Sequence, residues 1–351
     1  MISFKYLAFI ILFCSLSLSQ IFSYKGELSA NLITSNDVPE LSSPIESSFI
    51  YIPSMSIGKD IDEASSIDFE YALKIHRIFS GDDIIYSEDN SYRFWIRYVN
   101  QKSELRIGLQ KIIFGPSQIL RSLSWFDGYD IKNPTSQTKG VKAARYKYFI
   151  NNLLSFSSWL IKNDIDPLSI GGRVNISSVF GEWGLTYYRD PLTELQQIGQ
   201  TGLLIADSHN RYALDYRYDG LFGLWLESVF VQSSDRAIAL GTFGMDYTLN
   251  VFNGIQILSE SMIVESLDEQ FYTAILMSTS IGFLHRAMLI SQIDWNNDRA
   301  YNYFQWNTSF DKYSVNYTLS INPKRSSYKF YVGDRLLGYG TGHQIMFIYN
   351  Y

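Results

Sequence analysis

Apolar and polar side chains alternate along most of this chain, and the alternation has a period of two. Between Ser66 and His76 every second side chain is apolar: Ile67, Phe69, Tyr71, Leu73 and Ile75. Similar alternation runs through 92–99, 104–110 and 312–321. A period of two is that of a half-buried β-strand, whereas an amphipathic helix repeats every ~3.6 residues. The pattern therefore predicts strands.

The predicted strands are long and numerous. Several patterns hold for roughly nine to eleven residues, the length that a tilted strand needs to cross a bilayer, whereas globular strands typically have about five or six. Further candidates lie near 138–150, 153–161, 170–179, 181–189, 208–218, 220–232, 238–249, 251–264, 270–279, 281–292, 299–308, 325–332 and 341–351. Because single-chain bacterial barrels have even strand numbers, these roughly seventeen segments predict about 16 strands, with about 14 to 18 left open.

The predicted fold class is all-β, a transmembrane antiparallel up-and-down β-barrel. An unpaired backbone group in hydrocarbon costs several kcal/mol, so a sheet there must close on itself. A soluble β-sandwich uses the same alternation, but twisted open sheets rarely exceed about ten strands. Aromatic side chains near strand ends are expected to form girdles at the two membrane interfaces. The candidates are Tyr187, Tyr188, Trp295, Tyr301, Tyr303 and Trp306.

Composition agrees with a barrel and excludes a bundle of membrane helices. Aromatic residues make up 16% of the chain and charged residues only 18%, below the ~25% of ordinary globular chains. The mean hydropathy is nevertheless close to zero, at −0.06. The most apolar stretch outside the N-terminus, 273–290, is interrupted by His285 and Arg286. Lipid-facing and water-facing residues alternate in a membrane barrel, which explains a moderate average.

Residues 1–19 are predicted to be a cleaved signal peptide. Lys5 supplies the positive n-region, 7–13 the apolar run, and Ser17 and Ser19 the small residues before the cut. An uncleaved anchor is the alternative, but this run is short against the ~20 residues that span a bilayer as a helix. Export to the cell outer membrane is therefore expected.

Beyond the signal peptide the sequence predicts two regions. Residues 20–64 hold Pro39, Pro44 and Pro53 and are predicted to be an irregular periplasmic lead-in. Residues 65–351 are predicted to form the barrel as a single domain.

The charge argues against nucleic acid as a partner, and the cysteine content argues against disulfides. Cleavage would remove Lys5, one of 29 basic residues against 35 acidic ones, so the mature chain is mildly acidic and has no basic footprint for nucleic acid. Cys14, the one cysteine, lies within the signal peptide. The mature chain therefore has no disulfide.

The C-terminus carries a resemblance to a known class. Ile345, Phe347, Tyr349 and Tyr351 occupy alternate positions, and the sequence stops on an aromatic residue. This is similar to the terminal strand of bacterial outer-membrane barrels. The resemblance implies recognition of these residues by the barrel assembly machinery, and closure of the last strand against the first.

A second resemblance covers residues 104–161. A strand containing Gly108 and Gln110 leads through Phe114-Gly115 into a long loop. That loop carries Asp127, Asp130 and Asn133-Pro134, and Gly140-Val141 then restarts a strand bearing Arg145. This order resembles porin-like families of the phosphate-selective and alginate-export kind, although Phe114 stands where those families often carry Trp. The resemblance implies a pore.

Strand parity predicts which side chains line that pore. A charged side chain facing lipid near the midplane costs about 2–4 kcal/mol, so charges on these strands should face water. With the apolar set outward, six residues on three neighbouring strands share the inward parity. They are Arg93, Arg97, Arg106, Gln110, Arg145 and Lys147.

The long gap between strand patterns at 115–137 suggests a constriction. If this loop folds into the lumen, Arg121, Asp127 and Asp130 would narrow it and bring carboxylates near the basic wall. Charges facing one another across a pore select ions through their local field. We expect a mild preference for anions.

No motif indicates catalysis, a cofactor or a metal. His76, His209, His285 and His343 are scattered singly, without the spacing of a metal site. The chain is therefore expected not to be an enzyme, and to bind no cofactor or metal.

Three classes of function remain open. The favoured one is an outer-membrane porin-like channel for small hydrophilic solutes or ions, because the inward residues Ser314, Asn316, Thr318 and Ser320 are small or polar. The alternative is a non-conducting barrel used in surface-polysaccharide assembly, adhesion or scaffolding, which the bulky Trp95 and Trp225 favour. A secreted carbohydrate-binding protein is the third. The expected partners are outer-membrane lipid, the assembly machinery and small solutes, with a homotrimer and a monomer both open.

Overall fold

The computed structural model describes residues 20–40, 42–135, 137–163, 167–192, 196–198, 203–325 and 336–351. The predicted signal peptide at 1–19 and most of the strand predicted at 325–332 lie outside the described residues. Among the described residues, no helix is long and apolar enough to cross a membrane.

The strands, in chain order, are β1 (Gln20–Ser35), β2 (Ile45–Asp62), β3 (Ser65–Ser80), β4 (Asp83–Val99), β5 (Ser103–Gln110), β6 (Val141–Phe149), β7 (Leu154–Ile161), β8 (Ser169–Ser178), β9 (Gly181–Asp190), β10 (Gln196–Gln197), β11 (Leu204–Ile205), β12 (His209–Asp219), β13 (Gly223–Ser233), β14 (Ala237–Leu249), β15 (Ile255–Glu265), β16 (Glu269–Ile281), β17 (His285–Asp294), β18 (Arg299–Ser309), β19 (Tyr313–Ile321) and β20 (Thr341–Asn350). A short 3-10 helix at Leu336–Gly338 precedes β20.

Eighteen of these strands form one closed sheet, in which sequential strands pair with antiparallel neighbours. The last strand β20 pairs with β1, for example Tyr349 with Leu28, so the barrel closes end to end. The two short strands β10 and β11 pair only with each other. The predicted antiparallel up-and-down barrel is confirmed, and its strand number is eighteen rather than 16.

Residues 20–64 belong to the barrel wall, so the predicted lead-in is wrong. β1 and β2 pair along nearly their whole length, and β2 pairs onward with β3. Pro39 and Pro44 lie in the connection between β1 and β2. Pro53 lies inside β2, where the β2–β3 register skips Ile52 and Pro53. Because proline has no N–H to donate, it fits where a ladder is interrupted.

The two ends of the barrel differ in their connections. At one end, which we call the short-turn end, the connections are brief, such as 63–64, 100–102 and 179–180. At the other, the long-loop end, lie the connections 111–140, 191–208 and 322–340. In outer-membrane barrels the short turns are periplasmic and the long loops extracellular.

Apolar side chains cover the outside of the barrel. On β13, Leu226 and Phe230 are exposed, whereas the alternate residues Trp225, Glu227 and Val229 are almost fully buried on the inside. This distribution suits a wall between lipid and an interior.

The aromatic residues expected at the interfaces divide between the two faces of the wall. Tyr187 is exposed on the outer face, and Trp306 shares that parity through its pairing with Tyr317. The girdle prediction is wrong for Tyr188 and Tyr303, which are buried inside the barrel. These two rings pack on a segment that folds into the interior. The alternation of side chains near the ends of the strands did not predict this segment.

That segment is the connection 111–140, which we call the inner loop. Its residues Ile112, Phe114, Ile119, Leu120 and Leu123 are buried. They join a hydrophobic cluster with inward-facing side chains of the strands between β6 and β18. The apolar core of this protein therefore lies inside the barrel, between the wall and the inner loop.

Candidate functional site

Three arginines lie side by side on the inner face of β4, β5 and β6. In the sheet register Arg97 is opposite Arg106, and Arg106 is opposite Arg145. We call these residues the arginine ladder. Like charges placed directly opposite one another destabilise a sheet. The arginine ladder therefore does not stabilise the pairing of these three strands.

Two of the three guanidinium groups have carboxylate partners. Arg97 contacts Asp68 of β3 at 2.7 Å, and Arg106 contacts Glu104 at 3.1 Å. The ring of Trp95 lies between them, with the Arg106 guanidinium carbon 4.6 Å from a ring centroid. A cation over an aromatic face at this distance is attracted by the ring.

Arg145 is the uncompensated member of the ladder. Its Nε is buried and has no hydrogen-bond partner, and among the described residues no carboxylate forms an ion pair with its side chain. A buried donor left without a partner costs free energy unless something else supplies an acceptor. Arg145 is therefore the member of the ladder whose side chain forms no ion pair among the described residues.

Arg145 lines a cavity of about 840 Å³, together with Lys147, Arg173 and Arg217. Residues of the turns 100–102 and 150–153 also line it, so the cavity lies towards the short-turn end. Two carboxylates, those of Glu182 and Asp215, also line it. Much of the remaining lining is hydroxyl or amide, namely Asn151, Asn152, Ser155, Ser157, Asn175 and Ser177. Such a surface suits water and small hydrophilic solutes.

Arg173 contributes less free charge than Arg145. Its guanidinium forms a two-pronged pair with Asp215, with distances of 2.6 and 2.9 Å, and donates to Thr186 and Asn175. Lys147 has no carboxylate within ion-pair distance among the described residues and lies over the Phe149 ring, at 4.5 Å. Four basic residues and two acidic ones, Glu182 and Asp215, line the cavity, so the net charge of its lining is positive.

The inner loop is fastened to the opposite side of the barrel by two buried carboxylates, Glu227 of β13 and Glu260 of β15, which we call the glutamate latch. The N–H groups of Ser117 and Leu123 donate to Glu227, each at 2.9 Å. Both carboxylates are completely buried. Glu227 therefore receives its hydrogen bonds from main chain of the loop.

Glu260 is bound in the same manner by three consecutive residues. The N–H groups of Gln118, Ile119 and Leu120 donate to its carboxylate at 2.7, 2.9 and 2.6 Å. Trp225 adds its indole N–H at 3.1 Å. Successive backbone N–H groups that converge on one anion form a nest. Here the anion is part of the barrel wall.

Gly115 permits the close approach of the loop to the latch. Its φ is +81°, and a Cβ at this position would lie 2.2 Å from a carboxylate oxygen of Glu227. Both the left-handed backbone and the space exclude a side chain.

After the latch, the inner loop turns along other parts of the wall. Gln305 of β18 donates to the carbonyl of Lys132 at 2.6 Å. Gln137 donates to Glu27 of β1 at 2.7 Å. The loop therefore touches strands around much of the interior before it returns to β6.

The structure brings together four of the predicted pore-lining residues, namely Arg97, Arg106, Arg145 and Lys147. The other two lie beneath the inner loop. Arg93 is 7% exposed and donates to the carbonyl and hydroxyl oxygens of Thr138. Gln110 is fully buried and donates to the carbonyls of Arg106 and Ala143. These two side chains therefore hold the base of the loop. Strand parity predicted the direction in which they point, but it could not predict that the loop covers them.

The three residues predicted for a constriction are also placed differently. Arg121 and Asp127 form a buried ion pair at 2.6 Å inside the inner loop, so Asp127 does not offer a free carboxylate to the ladder. Asp130 contacts Lys132 at 3.2 Å. Lys132 in turn lies over Tyr303 of β18, on a strand far from β4–β6 in the sheet order.

Sequence reasoning missed the glutamate latch and the Arg173–Asp215 pair. Glu227 shares its inward parity with Trp225, Val229 and Val231, which are all buried. A single carboxylate among inward apolar residues was the available signal. It predicts a partner across the lumen, but it does not identify the partner.

No family model matches this chain, and no curated protein matches it. Solved structures do. Pseudomonas aeruginosa OccD3 (OpdP) superposes with a TM-score of 0.64 at 6% identity, covering 94% of this chain and 91% of that one. The fold is a porin-type barrel. Salmonella typhi OmpF in complex with daunomycin gives a TM-score of 0.55 at 11% identity, with 95% and 100% coverage. An anion-selective porin from Comamonas acidovorans gives 0.51 at 12% identity, again with 95% and 100% coverage. At these identities the likeness concerns the porin-type fold.

Proposed function

We propose that this porin-type barrel is an outer-membrane channel for small hydrophilic solutes, with a preference for anions. The closed sheet, the apolar outer face and the contrast between short turns and long loops all support a place in an outer membrane. Solved structures with the same fold include proteins named as porins. Lipid and the barrel assembly machinery are the expected partners, and Ile345, Phe347, Tyr349 and Tyr351 are proposed as the assembly signal.

The observation that carries the anion preference is the arginine ladder with its uncompensated Arg145 beside a cavity of about 840 Å³. Rows of Arg or Lys in a pore favour anions through their field. Fields inside a low-dielectric wall are focused into the water-filled space. The anion-selective porin from Comamonas acidovorans shares the fold, which agrees with the proposal.

The proposal is tested with the purified protein in a planar lipid bilayer. We expect discrete conductance steps, and in a KCl gradient a reversal potential displaced towards the equilibrium potential of chloride. A reversal potential on the potassium side contradicts the anion preference. Insertion of the protein without conductance contradicts the proposal that it is a channel.

A non-conducting barrel is the second candidate, with a role in surface-polysaccharide assembly, adhesion or scaffolding. The observation that favours it is the inner loop, whose buried apolar residues fill part of the interior. This candidate is supported if the purified protein needs detergent, migrates on a gel in a heat-modifiable way and inserts into the bilayer, but carries no current. No catalytic role is proposed.

A further inference from the structure

The outer face of the barrel carries an ordered polar feature near the long-loop end. In the register of β9, β12 and β13, Arg189 is opposite Asn210, and Asn210 is opposite Gln232. We call these three side chains the polar row. Each has the parity of the exposed apolar residues, so the row faces away from the lumen. An outward arginine on a porin-type wall is costly unless it lies at the membrane interface.

An aromatic row lies directly beside the polar row, two residues nearer the short-turn end. Tyr187 is opposite Tyr212, and Tyr212 is opposite Phe230. The rings of Tyr187 and Tyr212 are in contact, with centroids 5.3 Å apart. Aromatic girdles lie at the level of the lipid headgroups. The polar row, roughly 7 Å further along the strands, is therefore at headgroup height on the external side.

The side chains of the polar row present hydrogen-bond donors to the outside. The Tyr187 hydroxyl donates to the Asn210 amide oxygen at 3.0 Å, which leaves the Asn210 amide nitrogen free to donate. Arg189 is exposed, and among the described residues its guanidinium has no hydrogen bond or ion pair. Arg189, Asn210, Tyr187 and Tyr212 line one groove of about 290 Å³.

Asp190 also lines this groove, but its carboxylate does not neutralise the outward charge. The Asp190 side chain is 3% exposed and points inward. Its carboxylate accepts hydrogen bonds from Ser169, Tyr188 and the N–H of Leu192. His209 also points inward, where it accepts from Arg211 at 2.8 Å. The outward charge of the groove is therefore the single positive charge of Arg189.

We propose that this groove binds the phosphate group of an anionic lipid in the external leaflet. A guanidinium beside an amide donor matches the oxygens of a phosphate. The Tyr187–Tyr212 pair beneath it supplies an amphipathic surface for the part of the lipid next to the phosphate. The proposal depends on the barrel lying in an outer membrane, but not on conduction.

The test is native mass spectrometry of the detergent-purified barrel titrated with bisphosphorylated lipid A. We expect Arg189→Gln to bind it about tenfold more weakly, the loss expected for a hydrogen bond between charged groups. Lys59→Gln removes an outward cation at the opposite end of the barrel and should bind like the wild type. Asn210→Ala is expected to weaken binding less than Arg189→Gln, and it keeps the test valid if Arg189→Gln does not fold.

Three controls define the failure of the proposal. Equal binding by Arg189→Gln and the wild type overturns it, as does equal binding of phosphate-free lipid A. Displacement of lipid A by millimolar inorganic phosphate would assign the groove to soluble anions instead of lipid. Single-channel conductance should be the same in Arg189→Gln and the wild type, so failure of the lipid site and failure of the channel are read separately.

Discussion

Two regions of ionisable side chains in the lumen differ in how completely those side chains are hydrogen-bonded. On β13 and β15, Glu227 and Glu260 are fully buried, and the inner loop supplies five backbone N–H groups to them. On β4–β6, the arginine ladder is partly exposed, and the buried Nε atoms of Arg106 and Arg145 have no hydrogen-bond partner. Removing one partner of a buried, hydrogen-bonded group is costly, because the groups that remain are left unpaired. A charge left free beside a water-filled cavity can act on solutes.

Breaking the glutamate latch should have the largest effect. Glu260→Ala leaves three N–H groups of the inner loop without their acceptor, and each such loss costs about 1–3 kcal/mol. We expect the loop to detach, so that trypsin cleaves after Lys132 in the otherwise folded barrel. Glu265→Ala, on the exposed outer face of the same strand, is the matched control and should remain resistant. Equal resistance of both variants would contradict the latch.

Gly115→Ala should loosen the same contact by a smaller amount. The substitution forces a side chain into the space of the Glu227 carboxylate at a φ of +81°, and such backbone strain costs about 1–3 kcal/mol. Thermal unfolding in detergent should show a lower midpoint. Gly128→Ala, also in the inner loop, has no neighbour nearer than 4.0 Å to its added Cβ and should unfold like the wild type. A loss of stability in both variants would indicate that the loop tolerates no added side chain, and it would contradict a specific contact between Gly115 and Glu227.

A change of salt concentration should have the smallest effect of the three, and it should act on the arginine ladder but not on the glutamate latch. Raising KCl from about 0.1 M to about 1 M shortens the screening length from about 10 Å to about 3 Å. The partly exposed ladder should then lose part of its anion preference, measured as the permeability ratio. The buried latch should not respond, so resistance to trypsin should stay constant. A permeability ratio that does not change with salt would argue against selection by the ladder.

The wall of the barrel could largely be predicted from the sequence. Alternation from Ser66 onward predicted the strands, and the gap at 115–137 corresponds to the connection 111–140. β2 escaped prediction because apolar residues occupy both of its faces. Its inward-facing Ile52 is buried, next to a proline, and this combination hides the period of two.

The interior could be predicted only in part. Parity predicted an inward direction for Arg97, Arg106 and Arg145, because each strand fixes the direction of its side chains locally. The latch joins Ser117 to Glu227 over 110 residues of sequence, and no local pattern encodes that pairing. For the same reason the burial of Arg93 and Gln110 under the loop was not foreseen.

The most direct test of the account is the reversal potential of Arg106→Ser plus Arg145→Ser in a KCl gradient. The control is Arg77→Ser plus Arg189→Ser, which removes two arginines from the outer face and changes the net charge equally. We predict that the ladder variant shifts the reversal potential towards potassium, whereas the control keeps the wild-type value. An unchanged reversal potential in the ladder variant would contradict the central claim that the arginine ladder selects anions.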